Sequence, residues 1–220
     1  MTKQSLNPES TTTDTDPSDS TIQFYEIHAR KYFDRTVAAD LSAFYDRFLP
    51  YVTPGGRILD AGCGSGRDLR VFRNRGFEAV GIDASQALAK LATAYSGAPC
   101  LAMRIEQFAF GCRFDAVWAC ASLLHLPKHR LPAVLQLIHN ALVAHGWIFA
   151  SVQLGEGEGL LPDGRYFSYY TREEFEQLLT SAGFSIGECW VSEDSLPSRR
   201  PIRWINVIAR RGTIGRGQEH

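Results

Sequence analysis

A chain of 220 residues with 45% hydrophobic residues is long enough for one ordinary domain with a sizeable core. A formal charge of −1 argues against binding nucleic acid mainly through phosphates, although a local basic patch remains compatible with it. No apolar run is long enough to span a bilayer, and the N-terminus shows no apolar core of a signal peptide. The cysteines Cys63, Cys100, Cys112, Cys120 and Cys189 are odd in number and scattered, without metal-type spacing. Reduced thiols, a cytoplasmic location and no metal centre are therefore expected.

Residues 1–20 are rich in Thr, Ser, Asp and Pro and are expected to form a disordered tail. Residues 21–54 carry apolar side chains at helical spacing and predict two helices, broken near residues 34–37, standing before the main domain. Pro54-Gly55-Gly56 marks the turn into a core spanning residues 55–211. Strands are predicted at 57–60, 79–82, 100–103, 116–119 and 147–152, with helices at 68–75, 85–95 and 130–144 between them. Such alternation predicts an α/β fold: a doubly wound, mostly parallel sheet with helices on both faces. Residues 154–168 read as a long glycine-containing loop, and Thr171 with Glu174 reads as a capping box opening a helix to about residue 182. Two last strands, 185–191 and 202–209, are separated by a short loop and are expected to pair antiparallel. Residues 212–220 read as a frayed tail.

The richest chemistry lies in Leu59-Asp60-Ala61-Gly62-Cys63-Gly64-Ser65-Gly66-Arg67-Asp68, followed by Gly81-Ile82-Asp83. A strand ends in an acid, a loop follows with glycine at every second position, and a second strand ends in another acid. This arrangement predicts a nucleoside-sized crevice at the strand ends. Gly62 and Gly64 let the backbone approach a ligand, and the start of the next helix favours an anionic group. The dinucleotide fingerprint has glycine about two and five places after its first. The second of those places holds Arg67, which argues against a nicotinamide dinucleotide.

This order of residues resembles motif I of class I S-adenosylmethionine-dependent methyltransferases, and the resemblance runs through most of the chain. It implies a Rossmann-like seven-stranded sheet, an antiparallel C-terminal hairpin and an N-terminal helical lid. It also implies S-adenosyl-L-methionine as cofactor, S-adenosyl-L-homocysteine as product and methyl transfer to a small polar metabolite. On the matching positions, Gly62, Cys63, Gly64 and Gly66 would hold the methionine and ribose parts. Asp60 would brace the loop or reach the amine through water. Asp83 would bind the ribose hydroxyls, and Ala84 would lie against the adenine. Arg67 would pair with the cofactor's carboxylate, or else with Asp68. Many family members place an acid after the third strand; here that place falls near Arg104, which cannot accept a hydrogen bond. Adenine would then be read at Ile105 or Glu106.

The segment from Phe114 to Leu126 resembles the family's fourth-strand motif. It would set Ala119 beside the methyl-bearing sulfur and His125 shortly after. His125 reads as a general base with an ordinary pKa, or as a structural histidine bonded to nearby backbone, and the second reading is preferred. The Asp/Asn-Pro-Pro-Tyr motif of amino-methylating members is absent. Tyr32, Arg165, Tyr166 and Trp204 are the candidate substrate residues, Tyr32 on the lid helix and Arg165 after an Asp163-Gly164 turn. A nucleic-acid substrate, using arginines such as Arg199, Arg200 and Arg203, is the runner-up. A non-catalytic cofactor-binding subunit is the alternative from another class. Residue patterns alone do not set the oligomeric state.

Overall fold

A computed structural model describes residues 16–196, 199 and 201–212. Most of the expected N-terminal tail, Arg200 and residues 213–220 lie outside the described residues. Helix α1 (Pro17–Ile27) begins earlier than the reading of 1–20 as a tail allows, because Asp16 caps it by accepting from the Ser18 N–H at 3.0 Å, and Pro17 supplies the first helical position. Helices α2 (Ala29–Thr36) and α3 (Ser42–Phe48) follow. The N-terminal segment thus has three helices rather than two. The added break is at His28, whose φ of −104° leaves the helical range.

The core alternates as expected: β1 (Arg57–Ala61), α4 (Arg67–Asn74), β2 (Glu78–Asp83), α5 (Gln86–Ser96), β3 (Cys100–Ala102), β4 (Phe114–Cys120), α6 (Leu131–Ala141) and β5 (Leu142–Gln153). After them come β6 (Glu158–Leu160), β7 (Tyr166–Ser168), α7 (Arg172–Ser181), β8 (Phe184–Glu193) and β9 (Arg203–Arg211). The main sheet has seven strands in the order β3-β2-β1-β4-β5-β9-β8. The pairs among β1 to β5 are parallel, and β9 runs antiparallel to both β5 and β8. Strand order reverses between β1 and β4, which opens a crevice above their C-terminal ends.

Alternate side chains on each strand serve opposite layers. Ile58, Ala116, Trp118 and Phe149 pack with α3 and α4, while Leu59, Val117, Ala119 and Ile148 pack with α6 and α7. Trp118 and Phe149 stack at 3.9 Å between ring centroids. Gly66, with φ 76°, is where only glycine fits: a Cβ there would sit 2.8 Å from Ala92 Cα, and α4 and α5 could not approach.

Two expectations are corrected. The helix predicted to reach residue 144 stops at Ala141, and Leu142 already pairs with Phe114. Arg113 and Arg211 both donate to the Leu142 carbonyl, which holds it in the sheet rather than in a helical turn. Residues 154–168 are not a plain loop, since β6 and β7 pair there as an antiparallel hairpin. Glu158 ties that hairpin down by accepting from Lys128 N–H at 2.6 Å and Ser168 hydroxyl at 3.0 Å. Thr171 caps α7 by accepting from Glu174 N–H at 3.2 Å. The Glu174 carboxylate turns to Lys128 Nζ at 2.8 Å, so only half of the capping box forms. No helix among the described residues is long and apolar enough to cross a membrane.

Candidate active site

The loop after β1 is shaped by its own backbone. Gly62 and Cys63 N–H groups donate to the Ile82 carbonyl at 2.8 and 2.9 Å, which draws the loop across the end of β2. Gly62 has φ 90°, and a Cβ there would run into the Ser122 side chain. Asp83, at the end of β2, spans two segments. Its Oδ2 accepts from Gly64 N–H and its Oδ1 from Ser85 N–H, both at 2.9 Å. Burial pushes its carboxyl up to about 6 even though both N–H groups favour the charge.

These residues wall a cavity over the sheet's reversal point. Gly62, Gly64, Asp83 and Ala84 form its floor, and Ile105 and Glu106 lie at its far end. Leu88, Met103 and Ile82 supply apolar wall. The roof is α1, which contributes Tyr25, expected on the lid helix, and Ser18, Thr21 and Ile22, which sequence reasoning did not assign. Their signal was faint, because a polar Ser-Asp-Ser-Thr start resembles a tail more than a binding surface.

Three buried oxygens around this cavity have no hydrogen-bond partner: Ser18 Oγ, Ser122 Oγ and Asp60 Oδ2. Ser18 and Ser122 line the cavity, whereas Asp60 lies beneath the loop at 1% exposure and does not. Burial, reinforced by the charge of nearby Asp68, raises the Asp60 carboxyl well above its ordinary range. Unpartnered buried oxygens are costly, so a ligand with hydroxyl and amine donors suits the space. An apolar pocket wall, a carboxylate for hydroxyls and orphaned acceptors together fit S-adenosylmethionine.

Arg67 departs from its expected place. Its Nε and Nη2 fork onto the Asp68 carboxylate at 2.6 and 3.0 Å, and it lines a second cavity instead of the first. Asp68 also accepts from Tyr45 Oη at 2.5 Å and Trp118 Nε1 at 2.8 Å, so its acceptor sites are filled. Burial pushes the Asp68 carboxyl up, but the Arg67 charge and these donors outweigh it and hold it low. So engaged, the guanidinium lies off the first cavity and on the second.

The second cavity lies beyond the first, and Tyr25, Tyr32, Ala121 and His125 line both. Ala119 lines neither; it is fully buried in the core because β4 runs on through Cys120 before turning. Ala121 takes the position instead, at φ 55°, a left-handed conformation that costs an alanine about 1 kcal/mol. Its N–H is held by Ser151 Oγ at 2.9 Å. Strain at such a point is a common mark of a working site.

His125 is bonded at both ring nitrogens. Nδ1 lies 2.9 Å from the Tyr166 carbonyl, which can only accept, so Nδ1 carries the proton. Nε2, 2.9 Å from Tyr25 Oη, therefore accepts the phenol proton. Burial lowers the imidazole to about 4, and the backbone bond offsets this only in part. His125 is thus a neutral clamp between α1 and β7, not a base of ordinary pKa. Tyr166 serves it through a main-chain carbonyl, and the Tyr166 side chain lines neither cavity; Phe167 does so in the second.

Arg165 and Trp204 reach the second cavity as expected. Asp163 holds Arg165 at 2.7 and 3.0 Å, and Trp204 Nε1 donates to Asp194 at 3.0 Å. Tyr32 stands between the two cavities beside Gly64, where a Cβ would lie 3.1 Å from its ring.

The family described as methyltransferase domain matches residues 33–188. The chain belongs to it and is a class I S-adenosylmethionine-dependent methyltransferase. Solved structures share the fold. One is the Burkholderia thailandensis 1,6-didemethyltoxoflavin-N1-methyltransferase, with TM-score 0.72 and 21% identity over 96% of this chain and 93% of that one. Another is the [4+2]-cyclase SpnF, with TM-score 0.70 and 18% identity over 89% of this chain and 97% of that one. A third is the magnesium protoporphyrin IX methyltransferase of Synechocystis PCC 6803, with TM-score 0.70 and 16% identity over 92% of this chain and all (100%) of that one. At such identities the likeness shows the fold alone, and the cyclase illustrates why. The sequence matches no curated protein.

Proposed function

We propose that this methyltransferase acts on a small polar metabolite held in the second cavity, with S-adenosylmethionine in the first. The observation that carries this reading is the wall shared by the two cavities, made of Tyr25, Tyr32, Ala121 and His125. In this reading Gly62 and Gly64 hold the cofactor's amino-acid and ribose portions and Asp83 accepts from the ribose hydroxyls, while Cys63 and Gly66, expected as contacts, line neither cavity and instead pack the loop against Gly81 and Ala92. Ala84, Ile105 and Glu106 bracket the adenine with Met103. Asp60 braces the amine end from below. The cofactor, when bound, supplies a methyl group on a sulfonium centre that a nucleophile can displace.

The protein's part is alignment and exclusion of water. Tyr25 donates its proton to His125, which leaves the phenol oxygen as an acceptor for an incoming O–H or N–H. His125 is too weak a base to take that proton at rest, so its role is to orient Tyr25. Helices α1 and α2 and the β6–β7 hairpin close over the site as a lid. The five free cysteines suit the reducing cytoplasm. The test is to incubate the enzyme with methyl-labelled S-adenosylmethionine and pooled small metabolites or RNA. Label in a small molecule is expected; label in RNA alone would overturn the substrate class.

A further inference from the structure

The second cavity opens into an outer bay lined by Arg35, Arg165, Arg199 and Arg203. Arg35, Arg165 and Arg199 border both spaces, so the two are continuous. No acid lines the bay among the described residues. Two of the arginines are spoken for: Arg165 by Asp163 at 2.7 Å, and Arg199 by Asp194 at 3.4 Å. Arg35 and Arg203 make no ion pair among the described residues. The guanidinium of Arg35 is steered by the Tyr32 ring, 5.7 Å from its centroid. Glu193 lines the inner cavity and offsets one of these charges, which leaves the bay positive.

Phe44, Phe167 and Trp204 line the inner cavity together with the shared wall, and Phe167 lines the bay as well. The space therefore joins aromatic rings to a cationic bay. Guanidinium groups match oxyanions through paired N–H donors. Resting on the proposed function, we infer that the methyl acceptor is a small molecule with a planar apolar body and an oxyanion, carboxylate or phosphate. The oxyanion is bound at Arg35 and Arg203, away from the reacting atom. The methyl group then goes to another atom of the acceptor, and the anion survives in the product. A concave bay of this kind in a chain of net charge −1 favours a small anion over a nucleic-acid backbone.

The experiment is calorimetry on the full chain. Titration with S-adenosylhomocysteine comes first, because failure there overturns the cofactor reading rather than this one. The loaded protein is then titrated with benzoate, phenyl phosphate, benzyl alcohol and a 5′-phosphorylated oligouridine. We expect one of the two aromatic anions to bind at least about tenfold more tightly than benzyl alcohol, and which one wins identifies the oxyanion. Arg35→Ala and Arg203→Ala should each remove most of that preference, since neither strands a partner acid. Lys31→Ala, on α2 but lining no cavity, should keep it. Equal binding of benzyl alcohol, or unchanged anion binding in both arginine variants, would overturn the inference. So would an oligouridine that binds more tightly than either small anion and does so more strongly at low salt.

Discussion

Asp83 holds the loop and faces the cavity with the same carboxylate, so its substitution has two effects. Asp83→Ala should weaken S-adenosylhomocysteine binding by about 1.5–3 kcal/mol, the range for hydrogen bonds to a charged group. It also releases the Gly64 N–H, so the apo loop should gain hydrogen exchange. Unchanged affinity in a folded variant would remove Asp83 from the binding site. Its carboxyl is raised to about 6, so affinity should fall as pH drops through that value, and the step should vanish in Asp83→Asn. For the unliganded chain the sign is opposite. A carboxyl raised on folding contributes stability at low pH that is lost as pH rises through the folded value. His125 behaves in the other sense. Its folded value of about 4 lies below the ordinary 6.5, so the unfolded chain binds the proton first and stability falls as pH drops through that window. Chemical denaturation of wild type and His125→Phe across the window checks this, with a flatter profile expected in the variant.

At the scale of elements, α1 and its cap are latched over the cofactor cavity by groups from five places. Glu26 accepts from Ser85 Oγ at 2.6 Å and Ala87 N–H at 3.0 Å, at the start of α5. Thr21 Oγ1 accepts from Tyr166 N–H at 2.7 Å, and Tyr25 holds His125. Asp16 pairs with Arg130 at 2.5 Å, and Asp19 pairs with Arg104. Arg104, which no adenine amine can donate to, is thereby given a place in the structure: it ties the roof through Asp19 and Asp16. If α1 is a lid, Glu26→Ala should raise hydrogen exchange across 17–27 and speed cofactor release severalfold, with the sheet unaffected. Bound S-adenosylhomocysteine should restore part of that protection. Protection confined to Gly62, Gly64 and Asp83 would mean that α1 is a fixed cover.

For the whole molecule, a ligand that binds only the folded state raises stability by mass action. S-adenosylhomocysteine at about 100 times its Kd should add about 2.7 kcal/mol. A nicotinamide dinucleotide should add nothing measurable. Arg67, where that fingerprint has glycine, is bound into a buried network with Asp68, Tyr45 and Trp118. A rise in melting temperature with the dinucleotide alone would contradict the cofactor assignment.

The sequence by itself determined the alternation of strands and helices, the glycine loop and the two acids at or next to the ends of β1 and β2. Those features are local: period, turn residues and strand-end chemistry are written in consecutive positions. The final antiparallel pair was equally legible, because its connection is too short for a crossover. What required tertiary structure was every choice between partners distant in sequence. Arg67 could face a cofactor or Asp68, and only the arrival of Tyr45 and Trp118 at the same carboxylate decided it. Ala121 rather than Ala119 meets the cavities because β4 extends through Cys120. His125 lost its basicity on burial beside α1, whose Tyr25, 100 residues earlier in the chain, bonds it. The end of α6 was hidden for the same reason, since Leu142 pairs with the distant Phe114. The β6–β7 hairpin pairs locally, but the groups that hold it down, Lys128 and Thr21, lie on other elements, and residue order does not record which of several satisfied arrangements the packed chain selects.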